Sequence, residues 1–304
     1  MKLGLLTAIL GELPFEEVVT YASRAGFEGL EVACWPKEKA ERRYAGVSHI
    51  DVTALTPERI SQIHTLCEQN NITISALSYY PNILDADQAK AESCRTHLID
   101  VIHGAQKLGV GVVGTFVGRD QNRSVDYNLG LVAEVWPEII REAEQCGVRI
   151  AIENCPMLFT QDEWPGGQNL ATSPQILRRL FEMLPSKNFG LNFDPSHFVW
   201  QQMDYIKAVY EFRDRIFHVH IKDIAVDDRR LKDVGVLAAP LEYMTPRIPG
   251  AGDVDWQGFL AALRDIDYDG FACLEIEDKS YEESQQRIFE AIAKARGYVR
   301  PLIR

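Results

Sequence analysis

Eight short apolar, β-rich runs alternate from end to end of this chain with segments whose apolar residues recur every three to four positions. The runs are KLGLLTA (2–8), FEGLEVA (27–33), ITISALS (72–78), VGVVGTFV (110–117), VRIAIEN (148–154), NFGLNFD (188–194), RIFHVHIK (215–222) and GFACLEIE (270–277). Helices are predicted over 14–25, 56–70, 87–108, 126–146, 173–184, 203–212, 255–267 and 281–297. Thr56-Pro57 and Ser173-Pro174 supply a cap followed by a first-turn proline, and Gly26, Gly109 and Gly147 follow helical patterns. The strands are too uniformly apolar for one wet face. Eight strand-helix pairs in 304 residues therefore predict an α/β fold, a single (β/α)8 barrel spanning residues 1–304 as one domain. An open doubly wound sheet is the competitor. Against it, the first strand-to-helix loop, TAILGELP, lacks a G-x-G-x-x-G pattern, and no phosphate-cradling G-x-x-x-x-G-K-[ST] occurs.

Charge and composition narrow the function classes. With 44 Asp and Glu against 32 Lys and Arg, the formal charge of -12 repels nucleic acid and anionic membranes. No apolar window approaches the roughly 20 residues of a membrane span, and no signal-peptide pattern opens the chain, so a cytoplasmic protein is expected. The six cysteines are scattered with no C-x-x-C spacing and are expected to be reduced thiols, with Cys155 and Cys273 serving as barrel packing. Two long connections, 34–55 and 223–254, follow strands and so belong to the face where barrels build their chemistry.

At those C-terminal strand ends stand groups that packing would not choose. They are Glu153 and Asn154; Asp194, then His197; His218, His220, Lys222 and Asp223; and Glu275 and Glu277. A lone carboxylate there is often a cap, and an isolated histidine usually satisfies local hydrogen bonds, the reading given to His49, His64, His97 and His103. Several charges buried together near a barrel axis are costly unless a cation compensates them. Two glutamates, an aspartate and a histidine form an O/O/O/N set suited to Mn²⁺, Mg²⁺, Co²⁺ or Zn²⁺ with positions left open for substrate. Period-two phasing puts His218, His220 and Lys222 on one strand face, and Glu275 and Glu277 on one face of theirs, without choosing within either group.

The segments AIEN (151–154), GLNFDPSHFVWQ (190–201), HVHIKD (218–223), RIPGAGDVDW (247–256) and YDGFACLEIED (268–278), in this order, resemble the xylose isomerase-like TIM-barrel superfamily. The likeness is to its sugar (phosphate) isomerase/epimerase branch, which includes ketose 3-epimerases, and it covers essentially the whole chain. It implies metal ligation by Glu153, Asp194, His220 and Glu275, and substrate contact by His197. The substrate-contacting arginine of those epimerases falls on Val226 here, leaving Arg229, Arg230, Arg247 or a different substrate to account for it. The implied chemistry is divalent-metal-assisted proton abstraction beside a carbonyl of a small polyhydroxylated substrate through an ene-diolate, with Glu153 and Glu275 as acid/base pair. Lys222 is a further substrate-binding candidate, with pairing to a neighbouring carboxylate as the alternative. Trp35, Tyr80, Trp164 and Trp200 are candidate apolar walls against a sugar, with packing equally open. The rival readings are a metal-dependent dehydratase of an inosose or hydroxy-keto acid, an endonuclease IV-like nuclease, which the acidic charge disfavours, and a non-catalytic binding barrel. Barrels of this group often associate, so a homodimer is one expectation.

Overall fold

The structure, a computed structural model, describes residues 1–36, 45–158 and 166–303. The strands, in chain order, are β1 (Lys2–Leu6), β2 (Gly29–Ala33), β3 (Thr73–Ser78), β4 (Val112–Thr115), β5 (Arg149–Glu153), β6 (Phe189–Phe193), β7 (Ile216–Ile221), β8 (Asp223–Val226), β9 (Met244–Arg247) and β10 (Phe271–Leu274). Eight of them close into a parallel barrel in the order β1-β10-β7-β6-β5-β4-β3-β2, while β8 and β9 form a separate antiparallel pair. All eight barrel strands fall inside the eight apolar runs. The helices are α1 (Phe15–Arg24), α2 (Pro57–Gln69), α3 (Gln88–Leu108), α4 (Val125–Gln145), α5 (Pro174–Met183), α6 (Ser196–Val199), α7 (Tyr205–Glu211), α8 (Asp228–Val234), α9 (Trp256–Asp265) and α10 (Gln285–Val299). Thr56 and Ser173 cap α2 and α5 as their spacing predicts, each hydroxyl accepting a backbone N–H from the first turn. No described helix is long and apolar enough to cross a membrane.

Burial explains why the strands read as unbroken apolar runs. Their outward side chains pack with the helices into one large core that includes Trp136, Phe189, Phe193 and Phe259, none of them appreciably exposed. A second, small cluster of Ala76, Val112, Ala151 and Phe217 packs separately, and Ala151 shares its strand face with Glu153. Phe217 reaches that cluster at a register shift between β6 and β7. Its ring lies over Gly190, where an added Cβ would strike both that ring and the Arg215 carbonyl oxygen. Backbone cannot yield as a flexible side chain can, so Gly190→Ala is expected to cost about 3 kcal/mol. A denaturant melt that leaves the midpoint unchanged would show that the barrel floor is not so tightly closed.

The sequence pattern missed the β8–β9 hairpin and the short α8 between its strands. Segment 223–254 was expected as a long loop. It pairs instead over Asp223↔Arg247 to Val226↔Met244. At four residues each, with Pro246 inside β9, the two strands are too short and interrupted to show the alternation by which a strand is normally read. Asp223 fixes the root of this excursion. Its Oδ1 accepts from the backbone N–H of Ile224 (2.9 Å) and Val254 (3.1 Å), and its Oδ2 from Gly250 (2.9 Å), Gly252 (3.2 Å) and the Trp256 indole (2.9 Å).

Candidate metal centre and substrate cavity

Four barrel strands end at one place. Glu153 is the last residue of β5, Asp194 follows β6, His220 is next to last in β7, and Glu275 follows β10. One side-chain ligand atom from each lies within 4.8 Å of all the others. Local hydrogen bonds aim them. Asn154 clips the β5 and β6 ends together, donating to the Asp194 carbonyl (2.7 Å) and accepting its N–H (2.9 Å). Asn169 donates to the Glu153 carbonyl (2.9 Å) and accepts from Val117 N–H on the β4 side (3.0 Å). Asp194 Oδ1 accepts the Ser196 N–H at 2.8 Å, which turns Oδ2 toward the other three residues.

The facing atoms, Glu153 Oε1, Asp194 Oδ2, His220 Nδ1 and Glu275 Oε2, are buried and make no hydrogen bond, although His220 Nδ1 lies only 3.0 Å from Glu275 Oε2 and 3.4 Å from Glu153 Oε1. Leaving one such atom without a partner is costly, and four converging on one point form the donor set a hard or borderline divalent cation would satisfy. The residues present fit the ion. Electrostatics lead to the same demand for positive charge. At Glu153 burial opposes ionisation, but His197, His220 and Lys222 outweigh it and hold the carboxyl below its usual range. At Glu275 burial prevails, with Glu153 and Glu277 adding to it against Lys222 and His220, and the carboxyl is held above its usual range. Burial also opposes a charge on His220, yet Glu31, Glu275 and Glu153 raise its affinity for a proton well above the ordinary. A divalent cation, or protons on the imidazoles and on Glu275, would neutralise such a cluster.

This centre forms part of the wall of a cavity of about 820 Å³ that Trp35, Tyr80, Phe116, Met157, His197, Trp200, Lys222, Arg247 and Glu277 also line. His197, on α6, places Nε2 3.3 Å from Asp194 Oδ2 and 3.6 Å from Glu153 Oε1, again without a hydrogen bond. Lys222 takes the carboxylate-pairing role, 2.6 Å from Glu277 and 3.4 Å from Glu275, and it also lines the cavity. Glu275 and not Glu277 joins the four-residue cluster, a choice the phasing left open. Of the three arginines proposed for the position of Val226, Arg247 reaches the cavity, 3.7 Å from Asp278. Arg230 pairs on the surface with Asp233 and Glu242. Trp164 lies outside the described residues.

Tyr80 lines the cavity as a wall residue, and its hydroxyl is turned inward and donates to Glu31 Oε1 at 2.7 Å. Cys155 packs against Tyr80, Phe116 and Met157 on the cavity wall beside Glu153 and His197, and Cys273 is fully buried in the barrel against Ser75 and His218, so both pack within the barrel while also touching polar groups. Sequence reasoning passed over Glu31 altogether. It sits in the middle of β2, fully buried, 2.8 Å from His220 Nε2. A carboxylate inside a strand with no solvated face was the available signal. His49, His64, His97 and His103 do contact local acceptors, a backbone carbonyl for the first three and Glu142 for the last.

Comparison with known proteins agrees with this architecture. The Bacillus subtilis (strain 168) protein YfiH is 27% identical over 91% of this chain and 93% of its own length. The inosose dehydratase of Lacticaseibacillus casei is 22% identical over 95% of this chain and 89% of its own. Among solved structures, D-psicose 3-epimerase in the presence of D-fructose superposes with a TM-score of 0.73 at 16% identity, covering 100% of this chain and 99% of the other. The IOLI protein with a bound zinc atom gives a TM-score of 0.73 at 18% identity, covering 100% and 98%. The xylose isomerase-like TIM barrel family model matches residues 19–297, and to that family this chain belongs.

Proposed function

We propose that this protein is a divalent-cation-dependent isomerase or epimerase of a small keto-polyol. The observation that carries this reading is the convergence of four buried ligand atoms without hydrogen bonds beside a cavity large enough for such a substrate. Glu153, Asp194, His220 and Glu275 would hold the ion. Bound there, a divalent cation supplies Lewis acidity that polarises a substrate carbonyl and acidifies the neighbouring C–H. Glu153 and Glu275 come from strands three apart in the closed barrel, β5 and β10, and so approach a substrate from different sides. One carboxylate removes the proton beside the carbonyl and the other returns it, to the opposite face for epimerisation or to the adjoining carbon for isomerisation. His197 binds a substrate hydroxyl, and Lys222, held by Glu277, offers a fixed positive charge to developing oxyanion character. Trp35 and Trp200 give apolar faces against which a ring can lie.

A dehydratase is the second reading, favoured by the near full-length relatives named inosose dehydratase. Incubation in D₂O with Mn²⁺ and a panel of an inosose, D-fructose, D-psicose and D-tagatose separates them. The expected result is a substrate-like product carrying solvent deuterium, and chelation by EDTA should stop it. A water-eliminated product would move the protein to the dehydratase class, and exchange that persists undiminished in EDTA would remove the cation from the account.

A further inference from the structure

The His220 ring faces two unlike environments. Nδ1 points to Glu153 and Glu275 and makes no hydrogen bond, while Nε2 lies 2.8 Å from Glu31 Oε2. Glu31 reaches it from β2, three strands away around the barrel. Burying a carboxylate completely costs several kcal/mol unless each oxygen is used. Both are: Oε1 accepts from the Tyr80 hydroxyl at 2.7 Å, and Tyr80 is held in turn by Asn192 Nδ2, also at 2.7 Å. An ionised carboxylate can only accept, so the hydrogen between Glu31 and His220 belongs to Nε2. Asn192 Nδ2 also approaches Nε2, at 2.8 Å, but as a donor it cannot take that hydrogen. A neutral imidazole protonated at Nε2 keeps its lone pair on Nδ1, the atom aimed at the cluster.

We propose that Glu31 is a positioning residue that holds His220 as the Nε2–H tautomer, so that Nδ1 is the ligand presented to the cation. The inference rests on the reading of Glu153, Asp194, His220 and Glu275 as a cation site. Glu31, His218 and His220 also lie close enough together to suggest a second ion site, but their facing atoms are already engaged. His218 Nδ1 is 3.1 Å from Asn192 Oδ1, and its Nε2 is 3.2 Å from the Ser75 hydroxyl. Glu31 acts through the imidazole, not on an ion of its own. A carboxylate behind a ligating histidine orients the ring and raises its basicity, and losing it weakens metal binding about 10- to 100-fold.

Two measurements test this, both with Zn²⁺ as the probe. Calorimetric titration of chelator-stripped wild type, E31Q and E31L should show Zn²⁺ affinity falling about 10- to 100-fold in E31L, with E31Q between because its amide oxygen still accepts from Nε2. In ¹⁵N-histidine NMR of the Zn²⁺-loaded wild type, His220 should carry a slowly exchanging Nε2–H and a metal-shifted Nδ1. A purely structural Glu31 would lower the melting temperature in chelator and leave affinity untouched. Affinities within about twofold of wild type in the folded variants overturn the proposal, as does a wild-type spectrum showing Zn²⁺ on Nε2, which needs no variant. A wild type that binds no Zn²⁺ sinks the cation reading itself, a different failure.

Discussion

Replacing Glu275 by Gln is expected to lower turnover by about 10²- to 10⁴-fold, the range that a positioned acid or base contributes, while leaving a folded barrel. Glu153→Gln should behave alike, because epimerisation or isomerisation needs one group to remove the proton and another to return it. The fold should survive because Glu275 Oε2 and Glu153 Oε1 have no hydrogen bond to lose, and Glu275→Gln also removes a charge that burial, Glu153 and Glu277 disfavour. Lys222 loses its 3.4 Å contact to Glu275 but keeps Glu277 at 2.6 Å. The measurement is the rate of deuterium incorporation into whichever keto-polyol the wild type turns over, beside a melt of each variant in EDTA. Exchange at a near-normal rate in either variant removes that glutamate from the chemistry. A collapsed melt would instead show that the carboxylate holds the barrel ends together.

The largest stability loss is expected at Asp223. Asp223→Ala strips five donors of their acceptor at once, and buried donors left without partners cost about 1–3 kcal/mol each when nothing replaces the bond. Relaxation and water entry recover part of this, so a loss of about 3–5 kcal/mol is expected in denaturant melts. Asp223→Asn should rescue little. Whichever way the amide turns, its NH₂ faces either the Ile224 and Val254 donors or the Gly250, Gly252 and Trp256 donors. A full rescue by Asn would mean that shape, not acceptor count, is what the site requires. Gly252 reinforces the geometry, since a Cβ there would strike the Asp223 carboxylate.

The sequence made the barrel legible because both of its periods survive translation into structure: strands buried on two faces read as solid apolar runs, and their helices as three-to-four repeats. The strand ends that supply the cluster were legible for a related reason, since polar residues interrupt apolar strands where barrel chemistry is built. Which residues within those ends belong to the set came from the family resemblance. Glu31 was not legible, because it interrupts its strand earlier, at the third of five residues, where attention to strand ends does not reach. Its importance comes from a partner 189 residues away, a pairing no local pattern encodes. The choice between Glu275 and Glu277 was equally hidden, since both share a strand face and only the convergence of Glu275 with Glu153, Asp194 and His220 separates them. The hairpin was lost to the shortness of its four-residue strands and to Pro246, which breaks alternation without preventing pairing.

The β8–β9 excursion is pinned hard at its root by Asp223, while Val236 and Leu237 beyond α8 stand 60% and 86% exposed. Its Leu241, Met244 and Arg247 nonetheless border the cavity, whereas Glu153 and Glu275, the carboxylates proposed to move protons, stand on the barrel itself. What a substrate's far end must look like and what happens at its reacting carbon are thus written on separate stretches of chain. Mutation can explore the first at the outer segment while the second stays anchored, an arrangement that lets one catalytic floor serve a succession of different molecules over evolutionary time.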